Sequence, residues 1–207
     1  MLYLACECAR RMRRKIDVLF IDWEAQFTST IQHIENMRTH FHDVIDNFWW
    51  VALPLTTQNS LSQFQPEWQC WEAGTNWVRQ PPSDAITDPG YFDFYQQGMT
   101  FEAFVRAFSE WFSQNRPAAV MIGIRADESY NRFLAIANAR KLRFADDKPW
   151  TTVAPGGHAW YVYPIYDWKT ADIWTWFAKT GSSYNTLYDL MYQAGVPLRY
   201  MRICEPF

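Results

Sequence analysis

Asp17-Val18-Leu19-Phe20-Ile21-Asp22 is a short apolar run enclosed by acids, the pattern of a strand buried on both faces. Before it, Met1, Ala5, Cys8 and Met12 fall at helical spacing; after it, Phe27, Ile31, Ile34, Met37 and Phe41 trace one face of a second helix. Phe48 to Leu53, stopped by Pro54, reads as another strand. Helix and strand in alternation predict parallel βαβ units. The first helix begins at Met1 with no capping residue and no strand ahead of it, so the expectation is that an upstream strand and loop are missing from this chain.

From about residue 55 to 98 the pattern dissolves into Pro, Gln, Asn, Asp and Trp. That stretch reads as an irregular, aromatic-rich insertion lying over a sheet edge. Regularity returns with Thr100 as a helix N-cap before Phe101, Phe104, Val105, Phe108, Trp111 and Phe112. Further along, Ala118 to Ile124 reads as a buried strand, Ser129 to Ala139 as a helix and Tyr161 to Ile165 as a strand. A short helix capped by Thr170 runs through Phe177, and another from Tyr184 to Ala194 is closed by Gly195 and Pro197.

The 207 residues suit one domain with long insertions. Apolar residues at 49% and charged residues at 20%, with no uncharged apolar run of bilayer length, exclude disorder and a helical membrane span. Arg10, Arg11, Arg13, Arg14 and Lys15 follow the apolar start instead of preceding it, the reverse of a secretory leader, and a cytoplasmic protein is expected. The same cluster suits the negative end of a helix dipole, so direct nucleic-acid contact is not expected. Cys6, Cys8, Cys70 and Cys204 form no CxxC pair, and the four histidines have no HExxH spacing; neither a disulfide framework nor a bound transition metal is expected. The outlier is aromatic content, with 12 Trp, 11 Tyr and 15 Phe. Such clusters fill cores or shield partner surfaces more often than they stack on sugars or bases.

Ligands of open α/β sheets sit beyond the carboxyl ends of the strands. Two such places carry polar residues: Asp22-Trp23-Glu24-Ala25-Gln26, and Gly123-Ile124-Arg125-Ala126-Asp127-Glu128-Ser129-Tyr130-Asn131-Arg132. In the second, Gly123 permits close backbone approach, Arg125 offers a fork of donors, and Asp127-Glu128-Ser129 opens a helix whose free amides attract anions. An equally good structural reading makes the acids dipole partners of that helix, with Arg125 or Arg132 paired to them, and leaves Asp22 as a strand-end cap. Gly156-Gly157 lacks the strand-loop-helix setting of a phosphate cradle and reads as a loop.

These residues resemble the phosphoadenosine phosphosulfate (PAPS) reductase-like branch of the PP-loop nucleotide enzymes. Val18 to Asp22 is similar to the family's acid-ended strand, and Gly123-Ile124-Arg125 with Glu128-Ser129 to its GxR-ES element. Tyr163-Pro164-Ile165-Tyr166-Asp167-Trp168 with Asp172-Ile173-Trp174 resembles the P-L-x-D-W-x-x-x-D-V-W signature. Arg202-Ile203-Cys204 is similar to the R-x-G-C ending, with Ile203 where Gly is usual. Phe64 to Trp71, Gly98 to Glu102, Gly123 to Phe133 and Tyr188 to Gly195 are similar to a subgroup related to immunoglobulin-binding regulator proteins, which continues into a further C-terminal region and occurs in phage-associated settings.

The resemblance implies a doubly wound, mainly parallel α/β sheet over residues 1–207. It implies that Asp22 and Glu24 border an adenine nucleotide, that Arg125 with Arg132 faces its phosphate or sulfate oxygens, that Asp127 or Glu128 orients ribose, metal or Arg125, and that Gly123 and Ser129 belong to the same nucleotide site. The family's S-G-G-x-D-S loop belongs immediately before Met1 and does not occur in this sequence. ATP or PAPS, with Mg2+, is therefore implied only when such a loop is supplied, and PAPS reductase or pyrophosphatase chemistry is not expected of these residues alone. No metal ligand is assigned. Cys204 does not hold the position of a reductase's catalytic cysteine. The competing expectation is a non-catalytic regulatory module with a protein partner, ParB-like by resemblance, or a homo-oligomer.

Overall fold

Ile16–Ile21 forms strand β1, and Ile45–Val51 forms β2 parallel to it, with Thr28–His40 as helix α2 in the connection and Leu2–Met12 as helix α1 before β1. The computed structural model describes residues 1–59, 62–137, 142–144, 148–154 and 156–203. The parallel pairing follows from composition: Val18, Leu19, Phe20 and Ile21 lie beside Phe48, Trp49, Trp50 and Val51, bulky side chains that suit a pleated surface. The core of this part is Trp50, Val51, Leu53, Leu55, Phe41 and Val44, all essentially buried. A break in register between Ile16 and Val18 makes the strand start irregular.

The chain divides into two compact units, one of residues 3–104 with 185–207, the other of residues 1–2 with 105–184. In the first, α1 packs through Ala5, Cys6 and Ala9, while Cys8 and Met12 are exposed. The expected face through Met1, Ala5, Cys8 and Met12 is thus rotated: small side chains, which let backbones approach, make the contact. On α2, Met37 is buried and Phe41 follows it into the core, but Phe27 stands exposed.

Residues 55–98 are more ordered than their composition suggested. Thr56–Gln58 (β3) and Glu67–Gln69 (β4) pair antiparallel, and Pro89–Tyr91 makes a 3-10 turn in which the Asp88 carboxylate accepts from Gly90 N–H at 2.8 Å. Ile86 pairs with Val51 by its backbone, Ile86 N–H donating to Trp50 O at 2.7 Å and Ile86 O accepting from Ala52 N–H at 2.9 Å. Cys70, Trp71 and Phe92 are the buried anchors. Helix α6 (Leu187–Gln193) starts three residues later than expected, because Asn185 spends its carboxamide outside the helix, accepting from Leu187 N–H and donating to Thr30 Oγ1.

In the second unit, Ala118–Met121 (β5) and Ala159–Val162 (β7) are parallel, and Thr151–Val153 (β6) lies antiparallel on the far side of β7, giving the order β5-β7-β6. β-branched Thr151, Thr152 and Val153, next to a free strand edge, explain the pairing. Helix α3 (Phe101–Ser113) begins at Thr100, whose Oγ1 accepts from Ala103 N–H, as its sequence implied. Tyr130–Ala137 is α4 and Thr170–Thr180 is α5. The start of α5 is held not by Thr170 but by Asp172, which accepts from Lys169 N–H at 2.8 Å, and its end by Gly181 at φ 63°. The last two residues of the helix expected through Ala139, together with Pro155 and Cys204, lie outside the described residues.

Strands, helices and two parallel strand pairs define an α/β fold. Among the described residues no helix is long and apolar enough to cross a membrane.

Candidate functional site

Strand β1 ends at Ile21 and delivers Asp22 into a fully buried position, where both carboxylate oxygens accept hydrogen bonds. Asp22 Oδ2 accepts from Trp50 Nε1 at 2.7 Å, and Oδ1 accepts from Glu24 N–H at 2.9 Å and from the Arg79 guanidinium. Its backbone joins in: the N–H donates to Val51 O and the carbonyl accepts from Trp71 Nε1 at 2.6 Å. Glu24, also buried, takes φ 60°, a left-handed conformation that a non-glycine residue adopts only when its surroundings hold it there. What holds it is visible. Glu24 Oε2 accepts from Trp71 N–H at 2.6 Å and Oε1 from Val78 N–H at 2.8 Å, so one carboxylate ties both ends of the 71–78 loop. Arg79 lies against the Trp71 ring at 5.2 Å, and its buried Nε has no hydrogen-bond partner among the described residues.

Sequence reasoning placed Asp22 and Glu24 at the strand tip and missed Arg79, Trp71 and Trp50. One signal was present: Arg79 is the sole Arg or Lys in residues 55–98, and a lone cation in an acidic, aromatic stretch asks for a buried anion. Cys70 sits beside this cluster with Sγ 3.4 Å from the carbonyls of Leu53 and Leu55, and burial pushes its thiol up to about 12. Burial likewise raises the Cys6 thiol on α1 to about 11.

In the other unit, the turn after β5 brings the arginine-bearing residues together. The Arg125 guanidinium, largely buried, lies 3.2 Å from Glu128 Oε1 and 3.6 Å from Asp127 Oδ2, and its Nη1 donates to Trp168 O at 3.2 Å. Glu128 turns its second oxygen to Arg132, itself half exposed. Ser129 caps α4, its Oγ accepting from Arg132 N–H at 3.2 Å, and Asp127 Oδ2 accepts from Thr170 N–H at the start of α5. Gly123 meets Met1 so closely that a Cβ there would lie 2.9 Å from Met1 Cβ. Gly123, Arg125, Asp127, Glu128, Ser129 and Arg132 are thus one cluster, and Asp22 with Glu24 another, each within its own unit. Among the described residues no group of three or more His, Cys, Asp or Glu side chains is arranged to hold a metal ion.

The carboxyl end of β5, with a tight glycine, two arginines and an acid-led helix start, is a place where an oxyanion can be met by charge-assisted donors and by helix amides. In this structure the same donors are met by Glu128 and Asp127, so a ligand anion has to exchange with those carboxylates.

The class this defines agrees with comparison to known proteins. Residues 1–194 match the family described as the phosphoadenosine phosphosulfate reductase domain, and the chain belongs to that family. It is 73% identical over all 207 residues to the uncharacterized protein YbdN of Escherichia coli (strain K12), covering 51% of that protein. The chain therefore spans about half the length of this relative. No solved structure matches.

Proposed function

We propose that this chain is the nucleotide-binding part of a PAPS reductase-like protein, with a doubly wound, PP-loop type fold, and that it takes the phosphate or sulfate of an adenine nucleotide at the turn following β5. Family membership over residues 1–194 supports the nucleotide. The observation that carries the location is the Gly123–Met1 contact. A phosphate loop joined ahead of Met1 would emerge beside Gly123, two residues before Arg125. There Arg125 and Arg132 supply fixed positive charge to a transferred phosphoryl or sulfuryl group, and Glu128 holds both guanidiniums in place until the ligand arrives. Asp127, about half exposed, is the carboxylate of this turn with room for a ribose hydroxyl or for a Mg2+ carried in by the polyphosphate. Asp22 and Glu24 serve as structure in their own unit, keeping the 71–79 segment at the tip of β1.

The 207 residues contain no S-G-G-x-D-S pattern. Their own affinity is accordingly weak, and chemistry by attack on the α-phosphate of ATP or on an activated sulfate belongs to a chain that supplies the loop. Calorimetric titration with ATP and with PAPS of this chain, and of a version extended upstream with the loop, tests the reading. Binding at least about 100-fold tighter in the extended protein supports it; no binding in either overturns it.

A second reading has an observation in its favour. Arg125, Asp22 and Glu24 are all engaged within the protein, the arrangement expected of a fold kept for a protein partner with the nucleotide function lost. Absence of nucleotide binding in the extended chain, with an intact melting transition, selects it.

A further inference from the structure

Helix α4 presents its more apolar side to solvent. Ile136 is its one buried residue, whereas Tyr130, Phe133 and Leu134 are 73, 46 and 42% exposed, and Ala137 completes the spacing i, i+3, i+4, i+7 on that exposed side. The Tyr130 and Phe133 rings stack with centroids 6.5 Å apart, so the stripe is a ready-formed aromatic ridge. Asn131 and Arg132 flank it as a polar rim. A stripe of this spacing is what a helix lays into an apolar groove.

The neighbouring helix repeats the pattern. α5 starts from the same turn, Thr170 N–H donating to Asp127 Oδ2, and carries Ile173, Trp174, Trp176 and Phe177 without burying any of them fully. Exposed apolar side chains grouped along a helix in this way mark an interaction face.

We propose that the Tyr130-Phe133-Leu134-Ala137 stripe is the docking face for the part of a longer, relative-like protein that lies outside these 207 residues. The length of the relative argues for that occupant: a protein 73% identical across all 207 residues carries roughly as many residues again beyond the matched region. The stripe bears no charge, so the surface that covers it is an apolar groove, closed at its rim by an acceptor or donor for Asn131. This inference stands apart from the nucleotide reading, since none of the stripe side chains has a role in it.

Hydroxyl-radical footprinting of the 207-residue chain and of a chain extended to the relative's full length reads the side chains directly. Oxidation of Tyr130 and Phe133 slows at least about fivefold in the long chain, and in the short chain it is independent of protein concentration. Equal rates in the two chains overturn the proposal. Protection in the short chain that grows with concentration overturns it in favour of a second copy as the occupant. Phe133→Ser leaves the melting temperature of the short chain within about two degrees and restores Tyr130 oxidation in the long one; a short chain that unfolds on this change would place Phe133 in the core and contradict the assignment.

Discussion

At the residue scale the molecule is governed by two carboxylates at the tip of β1. Glu24 accepts from the amides of Trp71 and Val78, and Asp22 from Trp50, Glu24 and Arg79. Hydrogen bonds to a buried charge contribute about 1.5–3 kcal/mol each, so Glu24→Ala is expected to cost about 3–5 kcal/mol, read as a lower urea midpoint, with Glu24→Gln intermediate because one acceptor oxygen survives. Removing Arg79 alone leaves Asp22 an unpaired buried charge, and Arg79→Met should cost about 3–5 kcal/mol, much of it recovered in the Asp22→Asn, Arg79→Met double variant. Equal losses in single and double variants would show that the pair is not coupled. The thiols report the same interior. Burial holds Cys70 near 12 and Cys6 near 11 against an ordinary 9.0, so both stay protonated at pH 8 while exposed Cys8 reacts first with a disulfide reagent, as peptide mapping will show. Because their pKa values are raised by folding, their contribution to stability is complete below about pH 9 and is lost as pH rises toward 11–12. The urea midpoint should therefore fall across that alkaline range, less steeply in Cys70→Ala.

At the element scale the strands and helices were legible wherever local pattern and packing agree. β1, β2, α2, α3 and β5 lie within a few residues of where hydrophobic spacing puts them, and Thr100 caps α3 as its residue type implies. Thr100→Ala should lower stability by about 1 kcal/mol, measured by thermal melting. What spacing could not supply was the interaction across distance. The β3–β4 hairpin joins residues 9 to 13 apart within a stretch that reads as irregular, β6 exists because β7 offers it an edge, and α1 buries Ala and Cys while its methionine faces out. The candidate site divides the same way. Gly123 to Arg132 is contiguous, and its residues were found in order; the partner of Asp22 stands 57 positions away, and only its solitude as a cation hinted at it.

At the scale of the whole molecule, membership of the PAPS reductase family and the α/β fold fix the class, and the turn after β5 is where we propose that a nucleotide's anion is met. The claim at the centre is that Arg125 grips a ligand's anion and does not merely brace the turn. Arg125→Ala in the chain extended upstream with a phosphate loop measures this most directly, with ATP and PAPS affinity and the melting temperature read on the same sample. The account predicts affinity reduced at least about tenfold, equivalent to about 1.4 kcal/mol, with the melting temperature within a few degrees of the parent; unchanged affinity alongside a large loss of stability would contradict it.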